Sequence, residues 1–278
     1  MELLNPLYAL AGLFYEPSFM RRAQVALLML TLTTSAVGVL VVNRRMAFFP
    51  DAIGHSIFAG VALALILNLG VQPTVLVMGL LLGLLITFLS RRGHLAPDTV
   101  IGLVFSGAVA LGLALVSREP QATSGLSRFF LGDVLTVSDE QVMALVILVV
   151  ISAISLFFLT NPLTLGSIGP KVGPGRDWPD YLFGAYLAVV VMIAVQAVGV
   201  LLVTALLVTP AATGRLLTVS FKGMFWTALA CGVAAGQIGL FASFQPSLNT
   251  SVGATVVIVN VLIFGLAAIF RRIFPARG

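Results

Sequence analysis

An aspartate and a histidine lie four residues apart in an otherwise apolar stretch, FFPDAIGHSIFAG, at residues 48–60. If this stretch is helical, Asp51 and His55 lie on one face, one turn apart, and can converge on one cation. A carboxylate and an imidazole together suit divalent cations such as Zn²⁺, Mn²⁺ or Fe²⁺. Such side chains are costly inside a membrane and usually face a bundle interior or a water-filled path. Because two ligands are too few for a tight structural site, the pattern predicts a site that binds its ion in transit.

The same two residues also have a structural interpretation, in which Asp51 caps a helix start and His55 forms an interior hydrogen bond. Gln196 is a weaker candidate for the path, because interhelical hydrogen bonding is the default for an intramembrane amide. We expect His94 to be solvated in a short loop and Asp98 to cap the next helix. The predicted metal residues are therefore Asp51 and His55, with Gln196 behind them.

The composition indicates helices that cross a membrane. Of the 278 residues, 59% are hydrophobic and only 9% are charged, whereas a soluble domain carries about 25% charged residues. Apolar runs near 20 residues match the ~30 Å hydrocarbon core, and the ~10-residue alternating strands of a membrane barrel do not fit them. We predict one all-α domain over residues 1–278, a polytopic transmembrane helical bundle in the lipid bilayer.

The chain contains eight or nine predicted spans, because 181–199 and 200–219 have no polar loop between them and could form one broken helix. Pro210 is expected to kink the second of these segments. Residues 1–20 are broken by two prolines and would form an interfacial helix or a short leader. The predicted spans run roughly over 22–42, 48–69, 73–90, 98–117, 140–160, 181–199, 200–219, 222–244 and 251–270.

Basic residues cluster at the segment ends, and their distribution predicts the orientation. The larger set should be cytoplasmic, which places the C-terminus inside and the N-terminus outside. The loop over 161–180, rich in Pro and Gly, then faces inward, where a cytoplasmic partner would dock. Without a basic stripe or interleaved aromatics, the net charge of +5 does not indicate nucleic-acid binding. The predicted cytoplasmic clusters are Arg44/Arg45, Arg91/Arg92, Lys171/Arg176, Arg215/Lys222 and Arg271/Arg272/Arg277.

The sequence offers little for enzyme chemistry. It has no phosphate-binding glycine loop with its lysine, no His-Glu-x-x-His and no paired-cysteine motif. It has two histidines, no Gly-x-Ser-x-Gly elbow and one cysteine, Cys231, which can form no internal disulfide. We therefore expect a transport protein rather than an enzyme, with its energy coming from a separate ATPase or from an ion gradient.

Four stretches, in order along the chain, resemble the membrane subunits of divalent-metal ABC importers, the zinc/manganese/iron permease family. Together with the spans between them they extend the resemblance over about residues 20–275. The four stretches are MAFFPDAIGHSIFAGVALA at 46–64, DTVIGLVFS at 98–106, LGDVLTVS at 131–138 and QAVGVLLVTALLVTPAAT at 196–213.

The resemblance implies a permease that works by alternating access in the cytoplasmic membrane of a prokaryote. Its implied partners are a second permease protomer, identical or different, two cytoplasmic ATPase subunits and an extracytoplasmic metal-binding protein. The transported ion would be zinc, manganese or iron, with no permanently bound cofactor. In the family, the residues that match Asp51 and His55 lie in the translocation path and act on the metal or its gate.

The chain departs from the family pattern at three places. Pro50 replaces a usual glycine, GSIGPKVGPG at 166–175 lacks the acidic, alanine-rich coupling segment, and Asn249 replaces an aspartate. The altered loop also allows a subunit of this family that no longer couples to an ATPase.

Outside this family, the residues leave room for an intramembrane enzyme or for an ion-coupled secondary transporter. The small stock of catalytic side chains disfavours the enzyme. A secondary transporter predicts inverted repeats and midplane acids, and we find no clear repeat in the sequence.

Overall fold

A computed structural model describes residues 18–92, 95–117, 134–168, 178–245 and 250–274, with side chains of 159–168 outside the description. Within these ranges the chain is helical apart from its turns and has no strand, which confirms the all-α prediction. A short 3₁₀ turn covers Val134–Thr136. The helices are α1 Ser18–Asn43, α2 Phe49–His55, α3 Ile57–Ile66, α4 Val71–Arg92, α5 Pro97–Val116, α6 Asp139–Ile168, α7 Trp178–Val198, α8 Val200–Leu217, α9 Phe221–Ser243 and α10 Val252–Ile273.

The described part of the chain contains nine helical segments long and apolar enough to cross a membrane. The short helices α2 and α3 together make one of them, Phe49–Ile66. The segments predicted over 181–199 and 200–219 form two separate helices and not one broken helix. Gly199 separates them with φ of 89°. A side chain at that φ is strongly disfavoured, so glycine is the residue suited to this junction.

Polar contacts bring one set of helix ends together. Arg215 Nη1 donates a hydrogen bond to Asn43 Oδ1 at 3.1 Å, which joins the ends of α1 and α8. Asp180, in the first turn of α7, forms ion pairs with Arg44 and Arg91. We call this the Asp180 end of the bundle, and it is the end that the basic clusters predict to be cytoplasmic.

The other ends meet at the Gln196 end. Arg22 Nε lies 3.9 Å from Asp139 Oδ1, and Gln141 Nε2 donates to the Gln196 carbonyl at 3.1 Å. Helix α7 therefore runs from the Asp180 end to the Gln196 end, and α8 runs back to Arg215. Gly199 is the point where the chain reverses, which explains how two spans follow each other without a polar loop.

Close helix contacts occur at small residues inside the spans. A Cβ at Gly79 would meet Met192, and one at Gly83 would meet Ala188, so this spacing packs α4 against α7. Gly232 on α9 faces Ser35 on α1 in the same way. These contacts hold α4 close to α7 and α9 close to α1.

The outer surface is apolar. Leu103, Phe157 and Leu266 are 65%, 79% and 67% exposed on three different helices. Monomeric soluble proteins rarely expose broad apolar surfaces. This belt fits a surface that meets lipid or another protein in the membrane.

The predicted inward loop over 161–180 is shorter in the structure. Helix α6 continues to Ile168 and α7 begins at Trp178, so only 169–177 lie between them, outside the described residues. Asp180 belongs to α7 and not to a loop. Asp98 also differs from its prediction, because Ala96 occupies the N-cap of α5 and Asp98 lies in the first turn. The predicted leader before Ser18, His94 and Asn249 lie outside the described residues.

Candidate metal site

Asp51 and His55 lie on α2, as the four-residue spacing predicts. Pro50 stands in the first turn, where its fixed φ suits a helix start. Phe48 is the N-cap and has no side-chain capping bond, so Asp51 does not occupy the capping position that the structural interpretation gives it. His55 Nδ1 lies 2.8 Å from the Asp51 carbonyl oxygen, a contact that fixes the orientation of the ring.

Two other helices contribute to the site. The Thr204 hydroxyl on α8 is a polar neighbour of the Asp51 carboxylate, and its own hydrogen bond goes to the Leu201 carbonyl at 3.2 Å. Phe105 on α5 packs edge-on against the His55 ring, with centroids 5.1 Å apart. Both Asp51 and His55 are half-buried. The sequence did not single out Thr204 or Phe105, because one threonine or phenylalanine among many in apolar spans has no distinguishing pattern.

The packing places the pair deep in the bundle. Gly83, beside the Phe49 ring, is eight residues or ~12 Å from Arg91 at the Asp180 end. Phe105 is likewise ~12 Å along α5 from Pro97, and Thr204 is ~16 Å along α8 from Arg215. Asp51 and His55 therefore lie ~12–16 Å from the Asp180 end, as measured along the helices that pack around them.

The donor set is small. Within the ranges that the structure describes, no group of three or more His, Cys, Asp or Glu side chains could hold a metal ion. The site offers one carboxylate, one imidazole and the Thr204 hydroxyl as a further oxygen. This set could bind a divalent cation weakly, whereas a structural zinc site closes with four ligands.

Gln196 is not beside Asp51 in the contacts of the described residues. Its carbonyl accepts the hydrogen bond from Gln141 at the Gln196 end of α7. A role in the path would place it nearer the outer opening than the Asp51 and His55 pair. Gln196 stays a prediction.

A second polar feature is a cavity of about 480 Å³ at the Asp180 end. Arg44 Nη1 lies 2.5 Å from Asp180 Oδ1, and Arg91 pairs with the other carboxylate oxygen. The Arg44 guanidinium also stacks over Phe183 at 5.3 Å. Burial lowers the pKa of Arg44 from its ordinary value, but an arginine stays protonated in proteins. The cavity therefore has a permanently charged wall.

Comparisons with known proteins place the chain among transport permeases. Residues 16–271 match the model of the ABC 3 transport family. The manganese import system permease protein ScaB of Streptococcus gordonii is 34% identical over 254 residues, which cover 88% of this chain and 89% of that protein. The manganese transport system membrane protein MntC of Listeria monocytogenes is 31% identical, with coverage of 94% and 92%.

A solved structure is similar along the whole chain. The structure of PsaBC from Streptococcus pneumoniae in complex with Fab aligns with a TM-score of 0.75 and 26% sequence identity. The alignment covers 96% of this chain and 98% of the chain in that structure. The chain therefore shares its fold with a chain of that solved structure.

Proposed function

We propose, since this chain belongs to the ABC 3 transport family, that it is the permease subunit of an importer that carries Mn²⁺ across the cytoplasmic membrane of a bacterium. The resemblance read from the four sequence stretches is confirmed by that family match, and the chain is a multi-pass membrane protein of a metal transport system. The observation that carries the proposal is the pair Asp51 and His55, held near the middle of an apolar bundle.

The geometry supports a transit site for a cation. In the neutral tautomer that donates from Nδ1 to the Asp51 carbonyl, His55 has its lone pair on Nε2, the atom that would bind a metal. The Asp51 carboxylate supplies negative charge that offsets part of the hydration the cation loses in the bundle. With so few protein ligands the ion keeps other partners and can leave, which transport requires.

The donor types favour manganese over a thiolate-bound ion. Carboxylate and hydroxyl oxygens suit Mn²⁺, and one imidazole is compatible with it, whereas soft thiolates select other metals. The single cysteine, Cys231, lies on α9 and not beside Asp51. The names of two relatives, both manganese systems, support the same choice. Zinc and iron are the metals against which the choice is tested.

The proposed mechanism is alternating access driven by separate ATPase subunits. An extracytoplasmic metal-binding protein delivers the ion at the Gln196 end, and a second permease protomer completes the path. The reversal at Gly199 and the break at Ser56, between α2 and α3, are the points where the helices that line the site can shift. Release occurs toward the Asp180 end.

The test is metal uptake by cells that express the chain with its ATPase subunit. We expect His55→Ala to lower Mn²⁺ uptake by at least ~10-fold. The His55 imidazole and the Asp51 carboxylate are the two strong metal ligands of the proposed site, and the variant removes one of them. His94→Ala, which removes the only other histidine, is the matched control and should leave uptake unchanged.

Three results would contradict the proposal. Equal uptake by wild type and His55→Ala, with the protein present in the membrane at the same level, would move the metal path elsewhere. Uptake that persists when the ATPase is inactivated would favour an ion-coupled secondary transporter. Zn²⁺ or Fe²⁺ uptake that depends on His55 while Mn²⁺ uptake does not would overturn the choice of metal.

A further inference from the structure

The turn that ends α1 holds an arginine in a conformation usually given to glycine. Met46 N donates to Val41 O at 3.0 Å and Arg45 N donates to Val42 O at 3.2 Å, the pattern of a Schellman motif. Arg45 occupies the left-handed position of this motif, with φ of 56°. Glycine fits there without steric cost, and a long side chain does not.

A second turn of the same type, at the end of α3, has an asparagine in the left-handed position. At the end of α3, Leu69 N donates to Ala64 O and Asn68 N donates to Leu65 O. Asn68 has φ of 52°, and it and Arg45 are the two non-glycine residues with positive φ in the described ranges. Asparagine tolerates this region well, and arginine is uncommon there. The arginine at the α1 turn therefore indicates a role for its side chain.

The position of the Arg45 side chain suggests the reason. Arg45 is exposed and lines the cavity at the Asp180 end. Among the residues that the structure describes, its guanidinium has neither a hydrogen-bond partner nor an ion-pair partner. The turn therefore places a charged group at the cavity, and this group forms no ion pair with the described residues of the chain.

The cavity has more positive than negative charge. Among the residues that the structure describes, Arg44, Arg45 and Arg91 line it together with one acid, Asp180. Asp180 is only 7% exposed and is already shared between Arg44 and Arg91. Three guanidinium groups against one carboxylate leave a site suited to a second anion, and arginine binds a carboxylate through two parallel hydrogen bonds.

The shape of the cavity decides between a protein partner and a lipid. Its lining includes Thr87 and Phe183, both buried one turn inside the ends of α4 and α7. An occupant therefore enters between helix ends, along the helix axes, from the side predicted to be cytoplasmic. A protruding acidic side chain of a protein seated on this end fits that approach, whereas a headgroup stays with its lipid at the outer surface of the bundle.

We infer that Arg45 is a docking residue for an acidic side chain of the cytoplasmic ATPase subunit, which enters this cavity and supplies its second carboxylate. The inference rests on the proposed function, because only an ABC permease needs that partner. It adds an attachment point on the α1–α2 turn to the 169–177 segment, and this turn leads directly into the helix that carries Asp51 and His55.

The experiment measures binding of the purified ATPase subunit to the full-length chain in detergent, with Arg45→Glu, Arg45→Gly and Arg45→Lys. We expect Arg45→Glu and Arg45→Gly to weaken binding by ~10-fold or more. Arg45→Lys should keep part of the binding, because its charge still attracts the partner while the two parallel hydrogen bonds are lost. Arg45→Gly should at the same time raise the unfolding temperature of the chain, since glycine relieves the left-handed turn.

Asn68→Gly is the matched control, because it makes the same backbone change at a turn far from the Asp180 end. It should leave ATPase binding unchanged. Wild-type ATPase affinity in both Arg45→Glu and Arg45→Gly would overturn the inference. The proposed metal site would still stand if His55→Ala lowers Mn²⁺ uptake by ~10-fold or more. A different contrary result is that the Arg45 variants lose ATPase binding only in vesicles that contain phosphatidylglycerol and not in detergent. That result would assign the cavity to an anionic lipid headgroup and would also overturn the inference.

Discussion

At the scale of single residues, Thr204 is the neighbour that the structure adds to the metal site. Its hydroxyl is a polar neighbour of the Asp51 carboxylate and donates its proton to the Leu201 carbonyl at 3.2 Å, so a hydrogen bond to Asp51 requires the hydroxyl to rotate. One such hydrogen bond contributes about 1 kcal/mol. Thr204 is thus expected to orient Asp51 without being essential for binding.

We predict that Thr204→Val lowers Mn²⁺ uptake by ~3- to 10-fold, because the hydroxyl is a polar neighbour of Asp51 and the loss of one hydrogen-bonding group costs about 0.5–1.5 kcal/mol. Thr204→Ser should retain uptake, since it keeps the hydroxyl. Thr74→Val is the control, as its hydroxyl bonds only the Gly70 carbonyl on an exposed helix start. Equal loss in Thr204→Ser and Thr204→Val would argue for packing instead of the hydroxyl.

Asp180 is a buried acid that two arginines neutralise. It is buried between Arg44 and Arg91, whose side chains are 19% and 15% exposed. Removing one partner of a buried ion pair leaves the other charges uncompensated, which costs about 3–5 kcal/mol when the pair is fully buried. Because these arginines keep some contact with water, the cost here is expected to be smaller.

We predict that Asp180→Asn lowers the free energy of unfolding by about 2 kcal/mol, measured by thermal unfolding in detergent. Asp139→Asn is the control. Its pair with Arg22 is 3.9 Å long and about one third exposed on both sides, so its loss should cost less than ~1 kcal/mol. Equal stability in the two variants would show that the Asp180 ion pairs contribute nothing net.

At the scale of helices, the reversal between α7 and α8 depends on one residue. Gly199 has φ of 89° and ψ of 160°, a region that side chains scarcely enter. A Cβ there would force the backbone to rearrange and shift α8, which carries Thr204.

We predict that Gly199→Ala destabilises the chain by about 1–3 kcal/mol and lowers Mn²⁺ uptake. Gly265→Ala on α10 is the matched control, because a Cβ there meets no atom within 4 Å and alanine favours a helix by up to ~1 kcal/mol over glycine. The measurement is the unfolding temperature of each variant. A stable, active Gly199→Ala would show that the reversal does not need a positive φ.

At the scale of the whole molecule, the orientation in the membrane follows from which helix ends meet. The Asp180 end contains Arg44, Arg91 and Arg215 together, and basic loops favour the cytoplasmic side. Val219, 90% exposed between α8 and α9, marks that end. Ser138, exposed at the start of α6, marks the other.

We predict that a membrane-impermeant thiol reagent labels Ser138→Cys in intact cells, and labels Val219→Cys only after the cells are permeabilised. The background is Cys231→Ser, because Cys231 is the only native cysteine. Labelling of both positions from outside, or the reverse order, would contradict the nine-span topology with an outer N-terminus.

The sequence by itself determined features that depend on neighbours along the chain. Apolar runs of ~20 residues fixed the helices and their number to within one. The four-residue spacing placed Asp51 and His55 on one face of α2, and basic residues marked one set of helix ends. These are local consequences of helix geometry and of the solvation of charge, so they needed no tertiary structure.

The tertiary structure alone decided which helices are neighbours. It brought Thr204 and Phe105 to the metal pair, placed Asp180 between two arginines distant in sequence, and made Gly199 a reversal between two helices instead of a break within one. The physical reason is the solvent. Because lipid is as apolar as the bundle interior, a helix face that packs against protein and one that meets lipid have similar composition. Hydrophobic patterning therefore predicts that a segment crosses the membrane, whereas shape and polar contacts in three dimensions determine its partners.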